Sequence, residues 1–404
     1  MQNSHIPSRF DALRQATAPF MRFFSESAWS KLPDPQPSDI CDFAVGNPHD
    51  MPLEGFVETL QHWIRPQNKG WFAYKLNEPL PRQVVAESLR RSHRMSFEPE
   101  DVFLTNGSFA GLAVALTSVV EPGEEVIFNS PPWFFYEALI LHAGGKPVRV
   151  KVDPRTFDLD LEAIERQIHP DTRAIIVNTP NNPTGRIYPP DTLRGLADLL
   201  ERANRGRKRP VYIIADEAYR QIIYDGRDYP SPAQYYPNTL VSYTYGKTLL
   251  TPGQRIGYVA LPPGMPHREQ LREALFLSQM MVGFAFPNAL LQHALPDLEN
   301  LSIDIPRLQR KRDRMVSALQ EIGYSVRSPE GTFYLLPRSP GEDDRAFADL
   351  LAGYKIYVLP GEVVEMPGTF RISLTANEDM IERSLTGFAK AFERAHEEAS
   401  LVKG

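Results

Sequence analysis

Ala174-Ile175-Ile176-Val177-Asn178-Thr179-Pro180-Asn181-Asn182-Pro183-Thr184-Gly185 joins an unbroken apolar run to a rigid, amide-rich loop. The run shows no alternation, so both faces of that strand are expected to be covered, as in a parallel sheet flanked by helices. The loop then lies at the strand's carboxyl end. Neighbouring stretches repeat the arrangement. Val126-Ile127-Phe128 runs into Ser130-Pro131-Pro132-Trp133-Phe134-Phe135-Tyr136, and Val211-Tyr212-Ile213-Ile214-Ala215 into Asp216-Glu217-Ala218-Tyr219. Asp101-Val102-Phe103-Leu104-Thr105 ends in Asn106-Gly107-Ser108, and Leu240-Val241 leads to Ser242-Tyr243-Thr244-Tyr245-Gly246-Lys247. Residues 146–152 read as a further strand. Helical spacing separates these strands, as in Leu193, Leu196, Leu199 and Leu200.

The alternation predicts an α/β fold, a three-layer large domain with a mostly parallel sheet. Five polar loops, around Gly107, Trp133, Asn182, Asp216 and Lys247, fall at strand carboxyl ends, the edge at which open α/β sheets bind ligands. From about residue 295 the pattern changes. A charged amphipathic helix at 307–322 precedes short strands near 324–327, 332–336, 357–359 and 370–374, with helices near 343–353 and 377–397. This predicts a smaller α+β domain. The expected division is 1–55 for an N-terminal arm and part of the small domain, 56–294 for the large domain that carries these loops, and 295–404 for the C-terminal small domain. The aromatic run Phe20, Met21, Phe23, Phe24 and Trp29 predicts a short helix packed on this chain or on a partner subunit.

Composition narrows the function. The chain has 404 residues, 42% hydrophobic and 23% charged, with a net charge of −6 and both signs interspersed. A nucleic-acid binder would show a basic stripe. One cysteine, Cys41, excludes a disulfide within the chain or a cysteine metal cluster. The histidines lack metal-site spacing, so no metal is expected, and His49 reads as a loop residue. The first ten residues lack an apolar leader core, and the apolar stretch 274–286 is too short to span a bilayer. A cytoplasmic protein without membrane or nucleic-acid partners is expected. Gly246-Lys247-Thr248 imitates a P-loop, but Val241 stands where its first glycine belongs. No GxGxxG follows a strand and no GxSxG is present.

The strand-end residues describe one ligand together. Lys247 is an amine nucleophile toward a carbonyl. Arg255, eight residues on, offers a planar fork for a phosphate. Gly107 opens a helix whose free N–H groups suit an anion. Trp133 supplies a stacking ring, and Asp216, Tyr219 and Asn182 supply polar contacts. A planar, phosphorylated, aromatic aldehyde satisfies all of them, and pyridoxal 5′-phosphate is such a molecule. Lys247 would form its Schiff base and, once freed, move a proton as general base and acid. Asp216 would keep the pyridine nitrogen protonated. Tyr219 and Asn182 would hydrogen-bond the phenolate oxygen. Arg371, on an otherwise apolar strand, fits either a carboxylate clamp or an ion pair with Glu378.

These residues carry a resemblance. Asn181-Asn182-Pro183-Thr184-Gly185, Asp216-Glu217-Ala218-Tyr219, and Lys247 followed by Arg255-Ile256-Gly257-Tyr258 resemble the fold-type-I, class I/II pyridoxal-phosphate aminotransferases, the aspartate aminotransferase-like family. Thr105-Asn106-Gly107, Gly331-Thr332-Phe333-Tyr334 and Arg371-Ile372-Ser373 match in order, so the likeness spans about 42 to 390. It implies transfer of an amino group from an L-amino acid to a 2-oxo acid by a ping-pong route. It also implies a homodimer with shared active sites, in which Tyr74 reaches the partner's cofactor phosphate. Trp133 then stacks on the cofactor, Gly107-Ser108-Phe109 is the phosphate turn, and Thr244 offers a hydroxyl to the phosphate. Arg371 clamps the substrate α-carboxylate, with the Gly46 backbone beside it. Elimination, decarboxylation or oxidation of an amino acid is the alternative within the fold. A non-catalytic homologue should have lost Lys247 or Asp216. The chain departs from the family at Pro79, where glycine is usual, at Thr244, where serine is common, at Phe109, where some members carry a polar residue, and at Asn47-Pro48-His49-Asp50. These changes weaken any claim of aspartate specificity.

Overall fold

The computed structural model describes residues 7–403. Residues 1–6, part of the stretch read as lacking a leader, lie outside the described residues. The strands in chain order are β1 (Cys41–Asp42), β2 (Val102–Thr105), β3 (Glu125–Ser130), β4 (Lys146–Lys151), β5 (Thr172–Asn178), β6 (Tyr212–Asp216), β7 (Thr239–Thr244), β8 (Gly257–Ala260), β9 (Tyr334–Leu335), β10 (Ile356–Tyr357), β11 (Leu359–Pro360) and β12 (Phe370–Ser373).

Seven strands form one sheet in the order β2-β8-β7-β6-β5-β3-β4. Every residue of β5, β6 and β7 is buried, as continuous apolar strands require. Successive side chains point to opposite faces. Ile176, Ile214 and Leu240 therefore pack with Leu112, Leu116 and Leu275 from the helices Gly107–Val119 and Arg268–Val282. Ile175, Val177 and Ile213 pack instead with Leu193, Leu196 and Leu200 of the helix Pro190–Ala203. Helix, sheet and helix form the three layers. Pro147 breaks the expectation for a central strand, but β4 is an edge strand, where its missing N–H is harmless.

Only β8 runs against the others, pairing antiparallel with β7 and β2. The sequence pattern marks no strand at Gly257-Tyr258. A four-residue strand that opens on glycine carries little β signal. The glycine is required by packing. A Cβ on Gly257 would stand 2.2 Å from the Tyr243 carbonyl oxygen and 3.0 Å from the Gly107 Cα. The β7–β8 pairing brings Thr244 opposite Gly257 and folds the segment carrying Lys247 and Arg255 back on itself.

The carboxy-terminal strands form a three-stranded sheet, β11-β12-β9, and β1 pairs parallel with β10. Phe370 and Ile372 of β12 enter a core with Phe43, Tyr324, Phe347 and Phe388, so Arg371 points the other way. The stretch 324–327 is not a strand. The Ser325 carbonyl accepts from the Arg338 amide at 2.9 Å, and no ladder extends that contact. The helix Arg9–Glu26 packs on this chain: Phe23 is buried with Ala44, Leu359, Val363 and Val364. Pro79 opens the helix Pro79–His93 at a position suited to a residue without an N–H. Among the described residues no helix is long and apolar enough to cross a membrane.

Replacing Gly257 by alanine is expected to cost about 1–3 kcal/mol of stability, since backbone atoms on two sides must shift. Urea denaturation of the two proteins measures it, and an unchanged midpoint would show that the β7–β8 contact can relax.

Candidate active site

Nine stretches of the chain meet at one cavity of about 220 Å³. The loop after β5 brings Asn178 and Asn182, β6 ends at Asp216 with Tyr219 just beyond, and β7 ends at Thr244. A one-turn helix, Tyr245–Thr248, carries Lys247. Ser108 and Phe109 come from the helix start after β2, and Trp133 and Phe134 from the loop after β3. Arg255 precedes β8, and the carboxy-terminal part adds Tyr334 and Arg371. Gly46 enters from the turn after β1.

Asp216 lies at the floor. It accepts from the Tyr136 hydroxyl at 2.6 Å and from the Ala218 amide at 3.3 Å. Burial pushes its carboxyl above the ordinary range, and the two donors and the Lys247 charge oppose that. Lys247 holds its ammonium 5.4 Å from the Tyr219 ring centre and 5.7 Å from that of Phe333. The Tyr219 and Tyr334 hydroxyls are 3.5 Å apart. Burial works to raise the Tyr334 phenol, but the nearby Arg371 and Lys247 charges outweigh it and hold the phenol below its ordinary value.

At one end of the cavity Arg255 is half-buried, and its Nη1 donates to the Pro252 carbonyl at 2.6 Å. Gly107 has φ +72°, and a Cβ there would stand 2.6 Å from Arg255 Nη2. The guanidinium therefore packs against the start of the helix Gly107–Val119, where N–H groups lack intrahelical partners. Two sources of positive potential converge on one spot, beside Ser108 and Thr244. The Thr244 hydroxyl accepts from the Gly246 amide at 3.4 Å and donates to the Ile256 carbonyl at 3.3 Å.

At the other end Arg371 is 3% exposed. Its Nη1 donates to Asn182 Oδ1 at 3.0 Å and its Nη2 to the Ala44 carbonyl at 3.2 Å, while its Nε has no partner. Its guanidinium lies 4.0 Å from the Tyr334 ring centre. Glu378, the alternative partner, is taken by Arg307. Because arginine only donates, the Asn182 oxygen must face it, which leaves the Asn182 amide as a donor. A Cβ on Gly46 would stand 2.6 Å from the Tyr334 hydroxyl oxygen.

Residues 38–388 match the family model described as aminotransferase class I and II. The chain belongs to the class I and II aminotransferases. It is 31% identical over 369 residues to a Thermus aquaticus protein named a probable aspartate/prephenate aminotransferase, covering 88% of this chain and 92% of that one. An aspartate/prephenate aminotransferase of Thermus thermophilus is 30% identical, with the same coverage of each chain. The solved structure of an aminotransferase from Eubacterium rectale superposes with a TM-score of 0.85 at 28% identity, covering 97% of this chain and all of that chain.

This aminotransferase brings Gly46, Ser108, Phe109, Trp133, Asn182, Asp216, Tyr219, Thr244, Lys247, Arg255 and Arg371 to one cavity, and Gly107 backs it. Tyr74 stands outside it, fully exposed. The sequence reading assigned no role to Tyr136, Asn178 or Tyr334. Asn178 donates to the Asp216 carbonyl at 2.9 Å and accepts from the Asn182 amide at 2.8 Å, which fixes two site loops together. Tyr136 was visible only as the end of an aromatic cluster, and nothing local marks it as the neighbour of a carboxylate 80 positions away.

The upward shift of Asp216 has a stability consequence in the ligand-free aminotransferase. Above the ordinary value of 3.8 the unfolded chain is ionised while the folded one still holds its proton. Stability is therefore lost as pH rises through that window. Asp216→Asn is expected to raise the melting temperature at pH 7, with the gain shrinking toward pH 4, as scanning calorimetry reads. A variant that melts lower at pH 7 would show that the carboxylate is stabilising.

Proposed function

We propose that this aminotransferase binds pyridoxal 5′-phosphate and moves an amino group from an L-amino acid to a 2-oxo acid by a ping-pong route. When bound, the cofactor supplies an aldehyde for the amino group and a protonated ring that accepts electrons from the substrate Cα. The residues fit it. Arg255, the helix start at Gly107 and Ser108 suit its phosphate. Asp216, with Tyr136 and Ala218 donating to it, suits the ring nitrogen as a carboxylate. Tyr219 and the side-chain Nδ2 of Asn182 suit the phenolate oxygen, and Trp133 suits the ring face.

The observation that carries the reading is Arg371. A buried guanidinium with a free Nε and no carboxylate within salt-bridge range among the described residues is prepared for a carboxylate. The Gly46 backbone and Tyr334 flank the same spot. With the carboxylate on Arg371, the substrate Cα lies on the Lys247 side of the cavity. Lys247 would take the proton from Cα as general base and return it as general acid to the cofactor's aldehyde carbon, two atoms along from Cα. One carboxylate clamp and one cavity serve both acids, so the amino acid and the oxo acid use the site in turn.

We infer a homodimer. Tyr74, Phe72 and Leu76 are exposed, as are Met280, Met281 and Phe284, and an Asn77–Gln279 hydrogen bond of 2.8 Å joins the two segments. Such an apolar patch favours a protein partner. The patch borders the phosphate turn, since the Asn106 amide donates to the Ala285 carbonyl at 2.8 Å. Tyr74 of a second copy would complete that end of the site. We further propose that residues 56 to 294 act as the cofactor-binding unit and 295 to 404, with part of the 1–55 arm, as the smaller one.

Protein incubated with pyridoxal 5′-phosphate is expected to gain a visible absorbance band, and borohydride should fix the label on Lys247 as read by mass spectrometry. A colourless protein, or a label elsewhere, would refute the reading. Lys247→Ala should abolish turnover. Arg371→Ala should raise KM for amino acids by about 10- to 100-fold, the value of a charge-assisted pair of roughly 1.5–3 kcal/mol. An unchanged KM would remove the clamp.

A further inference from the structure

Once each polar group of the cavity has its partner, little is left for the substrate side chain. The cavity holds three cations, Lys247, Arg255 and Arg371. In the function proposed above, one is the nucleophile, one holds the phosphate and one holds the α-carboxylate. Among the described residues that line the cavity, no further cation remains for a second carboxylate. The wall's side chains that carry no charge and have no task in that function include Val45, Asn47, Phe134 and the ring of Phe109, beside Trp133. Phe109 and Trp133 meet edge to face at 5.1 Å.

This wall is backed from an unexpected direction. Phe20, on the N-terminal helix, stacks on Phe134 with ring centres 4.6 Å apart. It also touches Phe135 at 4.7 Å, and Phe135 in turn stacks on Phe109 at 5.1 Å. One ring therefore supports both wall residues. The same helix buries Phe23 against Ala44, whose carbonyl accepts from Arg371. The N-terminal helix thus reaches one end of the cavity through Phe134 and the other through Ala44 and Arg371.

We propose that the substrate carries a large, uncharged, apolar side chain, and that Phe20 is a positioning residue that sets this preference by holding Phe134 and Phe135. The proposal rests on the function above, and it accounts for the aromatic N-terminal run that the transfer chemistry leaves unused. A wall without charge rejects a charged side chain because the charge would lose its water without gaining an opposite charge.

Isothermal titration of the cofactor-loaded protein with carboxylates that lack an amino group tests it directly. 3-Phenylpropionate should bind at least about tenfold more tightly than succinate. Phe20→Ala should weaken 3-phenylpropionate by about five- to tenfold while leaving propionate unchanged, since stacked rings contribute on this scale. Phe20→Leu should keep most of the affinity. Succinate binding as tightly as 3-phenylpropionate would overturn the substrate class, and that comparison needs only the wild-type protein. Equal weakening of propionate and 3-phenylpropionate, or no change in either, would overturn the role of Phe20. An amino-acid screen separates the two levels. Preference for aspartate over phenylalanine and leucine overturns this inference and leaves the proposed function standing. Transfer from no amino acid overturns the proposed function, while the analogue ranking still decides the character of the wall.

Discussion

A guanidinium buried without a carboxylate is the constraint around which the site is arranged. Taking Arg371 out of water costs several kcal/mol unless its donors find partners. It finds two, the Asn182 oxygen and the Ala44 carbonyl, and a tyrosine face, but no negative charge among the described residues. Those contacts tie together β12, the loop after β5 and the turn after β1. The folded chain keeps the cation in place on two neutral acceptors, and in the proposed function a substrate carboxylate neutralises it. A protein does not hold such a charge for stability alone, since an apolar residue would fold better.

Around that cation the cavity is divided by charge. Asp216 provides the buried carboxyl at the floor, Arg255 and a helix start provide positive potential at the far end, and Lys247 stands between the ends over aromatic rings. A ligand with a positive ring nitrogen, a phosphate and an aldehyde matches that division, and a carboxylate substrate matches the remaining cation. The wall residues left over carry no charge, and on the proposed reading it is the substrate side chain that separates this chain from relatives named for aspartate.

Much of the fold could be read because it rests on local signals. The apolar runs of β5 and β6 point to a covered sheet, and Asn182, Asp216 and Lys247 fall at the carboxyl ends of β5, β6 and β7 along one edge. What was not legible depends on contacts far apart in the chain. β8 starts with a glycine that only the closeness of Tyr243 and Gly107 requires. Tyr136 matters because it meets Asp216 from the adjacent loop, and Tyr334 because β9 lies next to β12 and places its ring under Arg371. The choice between two partners for Arg371 could not be made from spacing. Arg307, from another helix, takes Glu378 and removes it. The N-terminal aromatic run was visible as a packed helix, but its target was not.

Transfer, as opposed to another fate of the same substrate, is tested most directly by a single half-reaction. Cofactor-loaded protein mixed with excess amino acid and no oxo acid should release one oxo acid per chain and then stop. Turnover should resume when a second oxo acid is added. Continued release of ammonia or carbon dioxide without an acceptor would contradict the account and assign the chain to elimination, oxidation or decarboxylation.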